Sequence, residues 1–382
     1  MKRPIKVLHI IKTLGLGGAE TNLLNLARAF DPGRVETHVA YSYGGELESR
    51  FVDAGGRLFK YAHGEHKVKS LRSVGIVLRL ARYCFRHRID IVQTHNFNSH
   101  IWGLLAAKLA RTKIIEHVHD FRYTPMDELT RRHGFFSQYR YIRYFRNLPD
   151  CVVVLTKDNV RYIEAHHLAR PERVVELQNG IPFDDAPTDR RTAVRTRLGI
   201  AADAHVVFTA ARMDPTKNVE LILRIAGRVA AADPKVLFVV AGSGPLLDGL
   251  RARCTREGLD AAVRFIGFDA DIEGLLSAAD VFLLPSFLEL HSIAILEATR
   301  MARPIVVSSG VGCNDEFVTD GEDGLLCDPF EDAPWIAALV RLLQDDGYRQ
   351  RVGLAGQDTC RRRFDIRTTA ARFEALYTEL AA

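Results

Sequence analysis

Residues 6–20 read Lys6-Val-Leu-His-Ile-Ile-Lys-Thr-Leu-Gly-Leu-Gly-Gly-Ala-Glu20. The run Lys6 to Ile11 has the composition of a strand covered on both faces, Gly15, Gly17 and Gly18 supply a turn, and residues 21–30 place apolar side chains at helical spacing. A strand, a glycine loop and a helix make the first half of a βαβ unit. The loop does not meet the dinucleotide pattern Gly-x-Gly-x-x-Gly, because Glu20 stands at the third glycine position. Nor does an acidic residue close the next strand, Thr37-His-Val-Ala-Tyr41, to take a ribose. Nicotinamide and flavin chemistry are therefore disfavoured. What survives is a loop whose backbone at Gly17 and Gly18 approaches a ligand closely.

Outward from this stretch the pattern repeats. Helical spacing over 45–54, 74–87 and 102–110 alternates with the strands Ile89-Asp-Ile-Val-Gln93 and Lys113-Ile-Ile-Glu-His117. That alternation predicts an α/β, doubly wound parallel sheet, whose ligands sit beyond the carboxyl ends of the strands. His95 and the segment His117-Val-His-Asp120 follow two such ends, so His95, His119 and Asp120 are candidate ligand contacts. A metal centre is disfavoured, since no His-x-x-x-His pair or third carboxylate accompanies them. Strands over 151–155 and 174–177 follow, the second leading to Asn179-Gly180, and the Pro- and Asp-rich residues 181–191 read as an interdomain linker.

The second half repeats the logic. His205-Val-Val-Phe-Thr-Ala210 is a strand and 219–231 a helix, with Arg212 and Lys217 flanking the turn between them. Two cations at a helix N-terminus oppose the macrodipole unless an anion sits there. Next come Val236 to Ala241 with Gly242-Ser-Gly-Pro245, then Val263-Arg-Phe-Ile266 with Gly267. The apolar run Val281-Phe-Leu-Leu284 leads through Pro285 into a helix over 292–301, with Glu289 before its start and Glu297 inside it. Amides of residues 290–293 are donors without an internal partner and suit a phosphate. Ile305-Val-Val307 and residues 321–326 complete the sheet, and the tail from 334 is helical.

Composition bounds these readings. A chain of 382 residues, 47% hydrophobic and 26% charged, is that of a globular enzyme with two domains. No window is long and apolar enough to span a membrane, and no leader is expected before the charged first strand. Six scattered cysteines predict reduced thiols and a cytoplasmic setting. The net charge of +5 conceals an asymmetry: residues 1–183 carry 29 basic and 17 acidic side chains, the remainder 23 and 30. Basic runs at Lys67, Lys69, Arg72, Arg79, Arg82, Arg86 and Arg88, and again through 121–146 where arginines interleave with aromatics, suit peripheral contact with an anionic membrane face better than nucleic acid.

Taken together, Gly17-Gly-Ala-Glu20, His119-Asp120, Asn179-Gly180, Arg212 with Lys217, Gly242-Ser-Gly-Pro245, Gly267 and Glu289-x7-Glu297 occur in the order seen in family 4 of the retaining glycosyltransferases. The chain resembles that family over nearly its whole length. The resemblance implies the GT-B fold: two Rossmann-like domains, 1–183 and 184–364, facing a central cleft, with a helix over 365–382 packing back on the first. It implies a nucleoside-diphosphate-sugar donor, UDP- or GDP-linked, in the second domain. Glu297 would hold the ribose, Arg212 and Lys217 the diphosphate, amides of Ser292 and Ile293 the phosphate side, and Glu289 the sugar hydroxyls. Gly242, Gly244, Ile266 and Gly267 would line the nucleotide, while His119, His95, Asp120, Asn179 and the loop at Gly17 and Gly18 would serve from the first domain. The implied reaction transfers a hexose or N-acetylhexosamine, with retention and without a metal or other cofactor, to a cell-envelope polysaccharide, lipid-linked or other glycan acceptor at the inner membrane face. A sugar-nucleotide epimerase or phosphorylase, or a silent sugar-nucleotide-binding scaffold, is the alternative. The sequence leaves the family's pattern at Leu290-His-Ser292, where small residues are usual, and His291 is expected to contact the sugar or β-phosphate.

Overall fold

The structure, a computed structural model, describes residues 3–62, 71–95, 97–119, 145, 147–184 and 189–382. It divides into two compact units, one of Met1–Pro182 with Ile366–Ala382, the other of Phe183–Asp365.

The first unit holds β1 (Ile5–Ile10), β2 (Val35–Tyr41), β3 (Arg57–Lys60), β4 (Ile91–Thr94), β5 (Lys113–His117), β6 (Cys151–Val154) and β7 (Val174–Glu176). They form one sheet in the order β3-β2-β1-β4-β5-β6-β7. Every pairing is parallel. Side chains alternate between the two faces, so neighbouring residues enter different cores. Leu8 and Val92 pack with Trp102 and Leu104 of the helix Phe97–Ala110. Val7 and Ile91 pack on the other face with Leu26, Phe30, Phe373 and Tyr377. Both faces being covered is why β4 and β6 are buried along their whole length. The C-terminal helix Ile366–Ala381 supplies Phe373 and Tyr377 and is fixed by polar contacts: Glu374 accepts from the Asp31 amide at 2.8 Å and pairs with Arg34 at 2.8 Å.

In the second unit lie β8 (His205–Ala210), β9 (Val236–Ala241), β10 (Val263–Gly267), β11 (Val281–Leu284), β12 (Ile305–Ser308) and β13 (Leu325–Cys327). Their order is β10-β9-β8-β11-β12-β13, again parallel throughout. Phe238, Val281 and Leu283 pack against Trp335 and Leu339 of the helix Asp332–Gln344. Each sheet reverses its strand order once, between β1 and β4 and between β8 and β11. At such a reversal the following loops leave in opposite directions and open a crevice at the carboxyl edge. Among the described residues no helix is long and apolar enough to cross a membrane.

Candidate active site

In the second unit the loops that follow β8 and β11 meet at the reversal. Asp214 accepts from the Thr216 amide at 2.9 Å and caps the short turn Pro215–Lys217. Thr216 in turn accepts at its carbonyl from the Phe287 amide at 2.8 Å, which ties the two loops together. This places Lys217 Nζ 2.6 Å from Glu289 Oε1, and the Ser286 hydroxyl donates to the same oxygen at 2.9 Å. Glu289 is 7% exposed, so the pair lies mostly out of water and its attraction is only partly screened. Arg212 is different in kind. Its exposed side chain pairs with Asp214 at 3.1 Å.

The loops after β9 and β10 close on the same edge. The Gly242 amide donates to the Gly267 carbonyl at 2.7 Å, the Met213 amide to the Ser243 carbonyl at 2.9 Å, and the Leu246 amide to the Met213 carbonyl at 3.0 Å. Gly242 and Gly244 adopt φ of 134° and 155° with their α-carbons against the backbone of Ala211 and Met213. Ile266 and Gly267, half-buried, end β10 beside them. Past β11, the helix Ile293–Arg300 starts at Ser292, whose side chain makes no capping bond. The first amides of this helix thus have no side-chain cap, an arrangement that suits an anion. Glu297, half-buried on that helix, has its pKa raised to about 7: burial disfavours its charge, Arg300 opposes this and Glu273 adds to it.

One expectation is corrected here. The cations do not stand uncompensated at a helix N-terminus, because Asp214 and Glu289 partner them and the helix Glu220–Ala232 begins only after the turn. His291, the expected sugar or β-phosphate contact, lies in the loop between Glu289 and the helix Ile293–Arg300. It is 6% exposed, packs edge-on against Phe364 at 4.9 Å, and burial pushes its pKa down to about 3. Asp269 and Asp271, whose spacing resembles a metal-binding pair, are taken by Arg197 and Arg190 at 2.8 and 2.7 Å. Ser286, Asp214 and Thr216 were missed, since nothing in their local sequence separates them from ordinary loop residues.

In the first unit, Gly17 is the extended N-cap of the helix Gly18–Ala29, and the buried carboxyl of Glu20 curls back over it. A side chain on Gly17 would meet that carboxyl. Gly18 is exposed on the first turn. Asn179 is buried, and the amide of Gly180 beside it donates to Asn22 Oδ1 at 3.3 Å. Because β4 and β5 pair Thr94 with Glu116, the next residues, His95 and His117, stand side by side at the carboxyl edge of the sheet. His95 Nδ1 lies 3.2 Å from His119 Nε2, and His95 Nε2 lies 3.1 Å from His9 Nδ1 on β1. His117 Nδ1 contacts Gln93 at 2.9 Å, whose Oε1 accepts from Tyr377 at 2.6 Å. Burial holds His9, His95 and His117 below the ordinary imidazole range, so these rings are neutral near pH 7. Asp120, Lys67, Lys69 and 121–146 apart from Phe145 lie outside the described residues.

Two parallel-sheet Rossmann-like units, the second carrying a cation, a carboxylate and a helix N-terminus at its strand reversal, define a class of sugar-nucleotide enzymes. Residues 16–185 match the profile of Glycosyltransferase Family 4 and residues 190–359 that of Glycosyl transferases group 1, and the chain belongs to this glycosyltransferase family. It is 27% identical over 285 residues, 73% of this chain and 72% of the relative, to the Escherichia coli UDP-Gal:alpha-D-GlcNAc-diphosphoundecaprenol alpha-1,3-galactosyltransferase. To the D-inositol 3-phosphate glycosyltransferase of Corynebacterium efficiens it is 29% identical over 60% of this chain and 56% of the relative. The fold is similar to that of Anabaena HepE, solved in complex with UDP and glucose, with a TM-score of 0.84, 21% identity and coverage of 98% of this chain and 99% of that one.

Proposed function

We propose that the chain transfers a hexose or N-acetylhexosamine from a UDP- or GDP-linked donor to a lipid-linked or polysaccharide acceptor of the cell envelope, with retention and with no metal in the transfer step. The observation that carries this reading is the Lys217–Glu289 pair beneath the start of the helix Ile293–Arg300. When the bond from the sugar carbon to the diphosphate breaks, negative charge grows on the departing phosphate oxygen. Lys217, Arg212 and the amides of Ser292 and Ile293 are donors of the kind that stabilises it. The acceptor oxygen bonds the same sugar carbon, and its proton passes to the leaving phosphate. Glu289 orients sugar hydroxyls, Glu297 accepts from the ribose diol, and Gly242, Gly244, Ile266 and Gly267 line the nucleotide. His119, with His95 behind it, and the Gly17–Gly18 loop and Asn179 serve from the first unit. Incubation with a panel of UDP- and GDP-sugars tests this: turnover of one donor is expected, with the product anomer read by NMR. An unchanged panel, or an inverted anomer, overturns it.

Glu297 gives the proposal a pH signature. Its folded pKa of about 7 lies above its ordinary value of 4.5, so its burial costs nothing at low pH and costs progressively more as pH rises from 4.5 to about 7. Ribose hydroxyls donate to the ionised carboxylate and offset that cost, so binding releases a proton. Sugar-nucleotide affinity is expected to rise roughly tenfold between about pH 6 and about pH 8 and then level off. Calorimetry in two buffers of different ionisation enthalpy measures the released proton, and Glu297→Gln is expected to abolish both effects.

The membrane part of the proposal rests on the helix Leu71–His87. Val74, Leu78 and Phe85 are exposed there among Arg79, Arg82 and Arg86, and Leu105 and Leu109 of the helix Phe97–Ala110 extend the apolar surface. Apolar side chains flanked by guanidinium groups match an anionic lipid interface. Flotation with anionic vesicles at low salt is expected to carry the protein, and Phe85→Asp to leave it at the bottom. Equal flotation with neutral lipid would remove the electrostatic half of the idea.

A further inference from the structure

The histidines of the first unit carry more than their part in the proposed function asks of them. Parallel pairing of β4 with β5 brings His95 and His117 level, and His119 follows two residues on, with its ring centroid 4.0 Å from that of His117. One ring nitrogen from each of the three lies within 4.8 Å of the others. We propose that His95, His117 and His119 form a binding site for a single transition-metal ion of the Zn2+, Co2+ or Ni2+ type.

Three observations support this. Tetrahedral Zn2+ with Zn–N bonds of about 2.0–2.1 Å sets its ligand nitrogens about 3.3 Å apart. His95 Nδ1 and His119 Nε2 already stand 3.2 Å apart, close to the length of one such edge, and a nitrogen of His117 lies within 4.8 Å of both. His117 is fully buried, yet its Nε2 has no hydrogen-bond partner among the described residues. Such an atom inside a protein normally has a partner, and the His95 and His119 rings both pack against the His117 ring. Finally, Gln93, held by Tyr377, lies 2.9 Å from the opposite nitrogen of His117, Nδ1; with the Gln93 amide turned over, its Oε1 accepts from Nδ1–H and leaves the Nε2 lone pair for an ion. Outer hydrogen bonds of this kind set the tautomer and aim of a ligating ring. Half-buried His119 gives an ion access to the cluster. An all-imidazole set selects Zn2+, Co2+, Ni2+ or Cu2+ over Mg2+ and Ca2+.

A bound ion would occupy the His119 ring. If His119 serves the substrate as proposed above, Zn2+ is then an inhibitor; this consequence rests on that reading, whereas binding itself does not. The test uses tag-free protein stripped with chelator and titrated with Co2+ while visible absorption is followed, then with Zn2+ by calorimetry. One ion per chain is expected. His117→Ala and His119→Ala are each expected to weaken binding at least about tenfold, and Gln93→Leu by about 10- to 100-fold. His205→Ala, in the second unit beside Asp233, serves as control and is expected to bind as the unaltered chain does. Thermal melts establish that each variant folds, and if buried His117→Ala does not, the half-buried His119→Ala decides. No Co2+ spectrum and no Zn2+ heat, or affinity unchanged in His119→Ala, overturns the site. Binding without inhibition leaves the ion site standing and counts against the role of His119 in transfer.

Discussion

Lys217→Ala is expected to lower kcat/KM for sugar transfer by about 10²- to 10³-fold, the cost of removing one preorganised donor from a developing oxyanion in a water-poor site. The size of the effect follows from burial. Lys217 and Glu289 are 21% and 8% exposed at the side chain, whereas Arg212 is 72% exposed and already paired with Asp214. A cation in water contributes little at the same distance, so Arg212→Ala is expected to cost only about tenfold. Stability and catalysis separate in this pair. Among the described residues, Lys217→Ala leaves the buried Glu289 carboxylate with the Ser286 hydroxyl as its remaining partner, and the melting temperature falls. In Lys217→Ala with Glu289→Ala no buried charge is left over, so the double variant is expected to regain part of the lost melting temperature and none of the activity. Steady-state kinetics at saturating acceptor together with thermal melts check both halves. A Lys217→Ala enzyme within about twofold of the unaltered chain removes Lys217 from the mechanism.

How much of this was legible beforehand depends on the range of the interaction. Strands covered on both faces leave continuous apolar runs, so His205–Ala210, Val236–Ala241 and Val281–Leu284 stand in the structure as their composition predicted. The start of the helix Ile293–Arg300 was visible for the same local reason. Partners across the fold were not. Lys217 and Glu289 lie 72 residues apart and meet only because β8 and β11 are neighbours at the strand reversal, so the sequence grouped Lys217 with Arg212 and Glu289 with Glu297, not with each other. The histidines failed a search for a helical His pair because their proximity comes from the register of two parallel strands. The packing of His291 against Phe364 was hidden in the same way, since Phe364 comes from a distant helix. Polarity alone does not say which way a loop side chain turns.

Gly242→Ala is the other change with a large expected effect, and backbone geometry alone carries it. At φ of 134° a non-glycine residue is strained whatever the space, and here a β-carbon would fall inside the carbonyl of Ala211. Relief requires the loop after β9 to lift from the loop after β8, which breaks the Met213-to-Ser243 and Gly242-to-Gly267 hydrogen bonds together. Strain of about 1–3 kcal/mol plus two net hydrogen bonds of about 1 kcal/mol each gives a loss of several kcal/mol, a large part of the stability of one unit. The turn Pro215–Lys217 hangs on the same loop, so the donor site loosens with it. Gly249→Ala is the matched control. It adds the same methyl group inside the helix Leu247–Arg256, where a β-carbon meets nothing within 4 Å, and is expected to be neutral or to stabilise by up to about 1 kcal/mol. Denaturant unfolding and sugar-nucleotide affinity, measured on both variants, are expected to fall together in Gly242→Ala and to change in neither sense against function in Gly249→Ala. Equal behaviour of the two would mean that the loops after β8 and β9 are not stapled as these hydrogen bonds indicate.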